Sequence, residues 1–432
     1  MFDARLNSKV PRKNWMILAL TLGLMASATG LHAQKKSNKK ANAQGEETQQ
    51  KRVGFDIRKI VWPNPPAIAR IKFEAILTGQ KIDRAALESK QKPKQSWMDR
   101  LAGAQPDSQV KDVQKKVGFQ LIRVYGVAAD SQGSIYAADQ AVGAIFIFPG
   151  GSEPDKLELI KNGEAARMPM INGLAIDDTD RLFVTDAKLH HVLVFSAKHE
   201  PEASFGTEVL VSPAGIAIDN TNRFVYVVDT QQDQVLVFDA DNYKLLRRMG
   251  TGGKKHMLTG PGNFALPTHV AVDREGNVYI TDTLNDRVEI FDADGTFISE
   301  FGKPGDGPGH FARPKGITLD RDGHIWVVDE VQSRVQVFDK EGRLLIYFGE
   351  RGWYPGQFQA VYAIAADNKN GRMITSEQFP GRVQVFRYVT DAEAAVERTK
   401  REAAQDKNGQ KPADADSQKE STPRKAQGTG AP

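Results

Sequence analysis

Five residues of this chain have the types and placement to do ligand chemistry at one spot: Tyr125, Asn172, His269, Lys315 and Tyr362. Each stands at the start of a short apolar strand, where a purely structural strand start needs only something small. An imidazole and an ammonium brought together can hold an anionic or carbonyl group, so His269 and Lys315 lead this set. Trp353 and Tyr354 form a second set, because aromatic side chains in a Gly-rich loop are the kind favoured at binding hot spots. A third set is a series of acids: Asp139, Asp186, Asp229, Asp282, Asp329 and Glu377. Six carboxylates around a pore would bind a cation. Their recurrence in every unit instead predicts that they accept bonds from loop amides and pair with an Arg five residues on: Asp282 with Arg287, Asp329 with Arg334, Glu377 with Arg382.

Other chemistries find little footing. His190, His191, His256, His269 and His310 fall on one side of the pattern, yet a zinc site needs about three convergent ligands and no two of these stand four apart. Asp292-Ala-Asp-Gly295 lacks the further ligands of a calcium loop. Gly252-Gly253-Lys254-Lys255 lacks the order of a phosphate-binding loop. The absence of cysteine excludes disulfides, thiolate metal sites and a Cys nucleophile. No metal and no cofactor are expected. The net charge of +4 is modest and much of it sits in the terminal segments, which gives no reason to expect nucleic acid.

The elements that position these residues repeat six times. The clearest copy, residues 314–338, is a short strand ending at Asp320, a turn, a second strand ending in an acid, and a third ending in Phe338. The first-strand Asp recurs as Asp130, Asp177, Asp219, Asp273 and Asp367. The third-strand Phe recurs as Phe148, Phe195, Phe238, Phe291 and Phe386, at intervals of 43 to 53 residues. Such a period, built from short strands and Gly turns, marks a propeller. Asp273-Arg-Glu-Gly276, Asp320-Arg-Asp-Gly323, Asp292-Ala-Asp-Gly295 and Asp339-Lys-Glu-Gly342 suit type I turns. The sixth copy stops at its third strand, and residues 71–79 match the missing fourth. The predicted fold is all-β: a six-bladed propeller of four-stranded antiparallel blades, closed by an N-terminal strand, with a short helical insert and a C-terminal helix. Closing the ring this way covers strand edges that would otherwise template aggregation.

Outside the blades, Arg5, Lys9, Arg12 and Lys13 precede an apolar stretch at 16–31 and small residues that allow cleavage after Ala28 or Ala33, so residues 1–33 read as a signal peptide. Residues 34–52 read as a disordered linker. The propeller is expected over 53–390, with a helical insert at 80–120 whose Trp97, Met98 and Leu101 share one face. A helix and disordered tail follow at 391–432. A periplasmic or secreted protein is expected, with no membrane span after cleavage.

The pattern Pro-x-Gly-Ile-x-x-Asp, Gly-x-(Ile/Val)-(Tyr/Trp)-(Val/Ile)-x-Asp, x-Arg-Val-x-(Val/Ile)-Phe-Asp and a closing Phe-Gly resembles NHL-repeat six-bladed β-propellers over about 53–390. Blades four and five fit almost throughout; blade one lacks the Arg, and Glu377 replaces the usual Asp in blade six. His269 stands where that pattern has Gly. The Trp-Pro-x-Pro-Pro segment at 62–66 and the helical insert look like a bacterial exported subgroup found with envelope and multihaem-cytochrome systems. Adjacent strands run in opposite directions, so the long loops at 250–269, 302–315 and 349–362 all fall on one face, where binding is expected. The expectation is an exported, non-enzymatic scaffold that holds a protein partner of a cell-envelope assembly on that face, with room for a small-molecule ligand at the pore mouth. The alternative is a metal-assisted hydrolase or lyase centred near His269, since the related peptide-amidating lyases use propeller histidines for zinc.

Overall fold

The structure is a computed structural model that describes residues 56–81, 119–161, 168–251 and 260–409. The expected leader, the linker at 34–52, nearly all of the helical insert and the tail beyond residue 409 lie outside the described residues.

The six repeats form six antiparallel sheets. Blade five is the plainest: Pro314–Leu319, Ile325–Asp329, Arg334–Phe338 and Leu344–Phe348, paired in sequence order. Its Asp-x-x-Gly segments make the predicted turns, with the amides of Gly323 and Gly342 donating to the carbonyls of Asp320 and Asp339 at 3.1 and 3.0 Å. Both glycines have positive φ, 85° and 76°, which a side chain resists. The first strands of the blades neighbour one another around a closed circuit, the sixth meeting the first. The chain is therefore an all-β six-bladed propeller.

Its core lies between the blades. Each interface is an apolar cluster; Trp326, Val328 and Val335 of blade five, for example, pack with Met373 and Phe386 of blade six. Phe264, Phe311 and Phe358, each at the end of a long loop, are buried between blades as well. Burying a side chain of this size stabilises by roughly 2–3 kcal/mol.

The ring closes as predicted. Ile71–Leu77 pairs antiparallel with Arg382–Tyr388, Ile71 opposite Tyr388 and Leu77 opposite Val383. The two-residue strand Val61–Trp62 adds outside it. The helix Asp391–Gly409 starts with reciprocal bonds: the Glu393 amide donates to Thr390 Oγ1 at 3.3 Å, and the Thr390 amide to Glu393 Oε2 at 3.1 Å. Among the described residues no helix is long and apolar enough to cross a membrane.

The candidate functional site at the channel mouth

The start of each first strand is where neighbouring blades come closest. A Cβ on Gly126 would lie 2.5 Å from the Asn172 carbonyl oxygen, one on Gly173 2.4 Å from that of Ala214, and one on Gly316 2.6 Å from the Ala363 Cα. Glycine is required there by contact. Gly215 meets the His269 Cα in the same way, at 2.6 Å, and the residues just before these four glycines, Tyr125, Asn172, Ala214 and Lys315, share a position with Thr268 and Tyr362 at the mouth of the central channel. His269 is therefore one position beyond the ring with which the sequence grouped it, in the glycine register that the repeat pattern gives it. Blade four also pairs His269 with Thr281, whereas blades three and five skip the corresponding residue in a bulge. Thr268 takes the ring position, buried and bonded through Oγ1 to Thr283 Oγ1 at 2.8 Å.

A His side chain in a glycine register has only the channel to occupy. The His269 ring lies 5.0 Å from the ring of Tyr362, centroid to centroid and edge-on, although blade five stands between their blades. Tyr362 in turn meets Tyr125 of blade one at 4.7 Å. The Lys315 ammonium lies 5.7 Å from the Tyr362 ring centroid. Four of the five predicted residues thus meet, and they do so as a plug rather than as the rim of an open funnel. His269 and Tyr362 are only 8% and 9% exposed. Asn172 does not join them: its Nδ2 donates to the Pro213 carbonyl at 3.1 Å and its Oδ1 accepts from Gln140 at 3.4 Å, which makes it a strut between blades.

Burial sets the electrostatics. It pushes the His269 pKa down to about 3, helped by the Lys315 charge, so the imidazole is neutral. Burial also lowers Lys315, with Arg313 adding to the effect and Glu330 opposing it. Tyr362 and Tyr125 are raised, chiefly by burial, and hold their protons. The His269 Nδ1 is buried with no hydrogen-bond partner. Lys315 has no carboxylate within 4.0 Å among the described residues.

Glu330 was missed by sequence reading, and a signal for it existed. The residue after the second-strand acid ties blades one, three and four to the next: Gln140 Nε2 donates to the Ile171 carbonyl at 3.4 Å, and Thr230 Oγ1 and Thr283 Oγ1 to the Pro267 and Pro314 carbonyls, both at 2.8 Å. Blade five puts Glu330 there, which as a carboxylate cannot make that bond. It approaches Arg313 instead, at 3.8 Å.

The ring of acids is structural. All six are fully buried. Asp229 accepts from the amides of Val211, Ser212 and Gln232, and Asp139 from those of Ile122, Arg123 and Val142. Two of the predicted Arg pairings form, Asp282 with Arg287 at 3.0 Å and Glu377 with Arg382 at 2.5 Å. The third does not. Arg334 turns to Gln332 Oε1 and the Asp306 carbonyl, while Asp329 accepts the amides of Ala312, Arg313 and Gln332.

Trp353 and Tyr354 stand on the same face, 56% and 69% exposed. The Trp353 ring meets Phe379, itself 57% exposed, edge-on at 5.2 Å. Beside Phe379 the chain of Gly381 runs against Ile122, whose side chain is also exposed. Trp353 and Phe379 thus form an exposed aromatic pair near the seam between blades six and one, with Tyr354 next to Trp353 in the chain and Ile122 exposed as well. Phe379 and Ile122 were not singled out in the sequence, because neither belongs to a long loop.

The histidines do not converge. His190 Nδ1 sits 2.5 Å from the Val211 carbonyl and His310 Nδ1 3.2 Å from that of Pro308; His256 lies outside the described residues. Among the described residues the one trio of metal-type donors is Asp320, Asp322 and His324, at the far end of the first strand of blade five. Two of its members are already engaged with each other: Asp320 Oδ2 bonds His324 Nδ1 and Trp326 Nε1, both at 2.9 Å, and Oδ1 accepts the amides of Asp322 and His324.

Comparison with known proteins agrees on architecture. A family model described as a 6-bladed beta-propeller matches residues 267–342. A probable peptidyl-alpha-hydroxyglycine alpha-amidating lyase of Caenorhabditis elegans is 29% identical over 112 residues, 25% of this chain and 31% of that protein. The chain thus matches under a third of that relative's length. A Bacteroides thetaiotaomicron protein of unknown function superposes with a TM-score of 0.51 at 17% identity, over 63% of this chain and 71% of the other. That likeness concerns the fold alone.

Proposed function

We propose that this chain is an exported NHL-type propeller that serves as a binding scaffold, holding a protein partner of a cell-envelope assembly on the face that carries the channel mouth. The observation that carries the reading is the exposed set of Trp353, Tyr354, Phe379 and Ile122. An exposed aromatic pair packed edge-on on a rigid scaffold matches the composition of interface hot spots, and large apolar side chains exposed near one seam mark a surface suited to a partner. The partner would present an apolar segment to this seam. The apolar stretch at 16–31, preceded by Arg5, Lys9, Arg12 and Lys13, supports export.

The metal-assisted alternative near His269 has less support. The nearest charged neighbour of that imidazole is a cation, and no carboxylate or second histidine joins it as a ligand set among the described residues.

A photo-crosslinking residue placed at position 379 in intact cells tests the reading. Capture of one discrete protein at position 379, absent when the same probe replaces the exposed Leu345 on an outer strand and lost in a Trp353→Ala background, is expected. Equal capture from both positions, or none from 379, overturns it.

A further inference from the structure

We propose that the channel mouth is a binding site for a carboxylate group, held by the Lys315 ammonium and the His269 imidazole beside the Tyr125 and Tyr362 rings. The site stands on different residues from the partner patch and does not depend on it.

Three observations converge. His269 occupies a register that blades one, two, three and five reserve for glycine, and its ring fills the channel against Tyr362 rather than packing between sheets. Its Nδ1 is buried and unpartnered, and a buried polar atom left without a bond is costly enough to call for an explanation. Lys315, half-buried on the next blade, brings an ammonium to the same tyrosine, 5.7 Å from its ring centroid. An ammonium and an imidazole at one tyrosine ring are groups that can donate together to a carboxylate.

The surrounding charges leave the mouth net positive, which favours an anion. Arg313 and Arg123 are the other cations at the mouth, and Glu330 opposes them. Arg313 lies 3.8 Å from Glu330, and Lys315, the cation against the Tyr362 ring, has no carboxylate within 4.0 Å among the described residues. A neutral imidazole that carries its proton on Nδ1 would donate to one carboxylate oxygen while Lys315 donates to the other. The tyrosine rings, which keep their protons, give the group's organic substituent an aromatic wall. The carboxylate has two possible sources: a free small acid, or the C-terminus of a peptide chain.

The test is NMR of the full chain with 15N-labelled histidine, titrated with benzoate, with benzamide, and with Ala-Ala-Phe as free acid and as C-terminal amide. Saturable movement of the His269 imidazole signals with an acid, and none with the matching amide, supports the site. Saturation by benzoate identifies small acids as sufficient; saturation by the peptide acid alone identifies a chain terminus. Lys315→Met should weaken binding at least about tenfold while the melting temperature holds. Should that variant melt early, Lys315→Gln replaces it, with the same loss expected. The proposal is overturned if no acid moves the His269 signals saturably, if amides act as well as acids, or if binding survives the loss of the Lys315 charge.

Discussion

Replacing Glu289 by Gln should stabilise this protein at alkaline pH and change little at acid pH. Glu289 lies in the third strand of blade four, fully buried, where blades five and six have Gln336 and Gln384. All three hold the long loop that enters their own blade. Gln336 and Gln384 accept from the amides of Gly309 and Gly356 at 2.8 Å, and Glu289 accepts from Gly262 at 3.1 Å. The amide can do this without a charge, and the carboxylate cannot once ionised. Burial raises the Glu289 pKa from 4.5 to about 7, against the opposing pull of Arg287 at 3.1 Å and the Gly262 amide. A carboxyl raised on folding contributes stability that is fully present below its unfolded value near 4.5 and lost as pH rises through about 7. The shift corresponds to about 3 kcal/mol between the two extremes. Urea denaturation at a series of pH values checks this. Above pH 7 the wild type should lose up to about 3 kcal/mol relative to Glu289→Gln, and the two curves should converge toward acid pH. A gap that is the same at every pH would refute the reasoning, and would mean that Arg287 keeps the carboxylate ionised throughout.

Four further outcomes follow from the ring and its closure. Phe73→Ala, in the closing strand, should cost roughly 3–5 kcal/mol by denaturation. Deleting the chain up to Leu77 should expose the edge of Arg382–Tyr388 and yield oligomers by light scattering. Gly316→Ala should cost about 3 kcal/mol, because its Cβ would meet backbone of the next blade at 2.6 Å that cannot yield. Gly323→Ala, with open space but φ of 85°, should cost only about 1 kcal/mol; the reverse order in thermal melts would show that blade contact does not set the glycine register.

The architecture was legible because each blade restates it. An acid at the end of every second strand, a Phe at the end of every third and Asp-x-x-Gly between strands are local instructions, and local turn chemistry survives without knowledge of the neighbours. The recurrence of the acids also identified their role, and the loop amides around Asp139 and Asp229 bear it out. The closing strand was readable because the sixth copy lacked a fourth strand and residues 71–79 had its rhythm.

What the sequence by itself determined, then, is the propeller, its closure and the face on which the unusual residues gather. Only the tertiary structure decided how those residues meet. Whether His269 lines an open funnel or fills the channel depends on how closely six strands approach an axis, and that distance is set by interblade packing far from His269 in the chain. The same holds for Asn172, which bonds to the next blade, and for Arg334, which turns away from Asp329. Trp353 and Phe379 become one patch because blade six folds the loop before its first strand against the loop after its second. Local spacing predicts strands and turns; contacts across a ring depend on where every blade stands, and no single repeat carries that information.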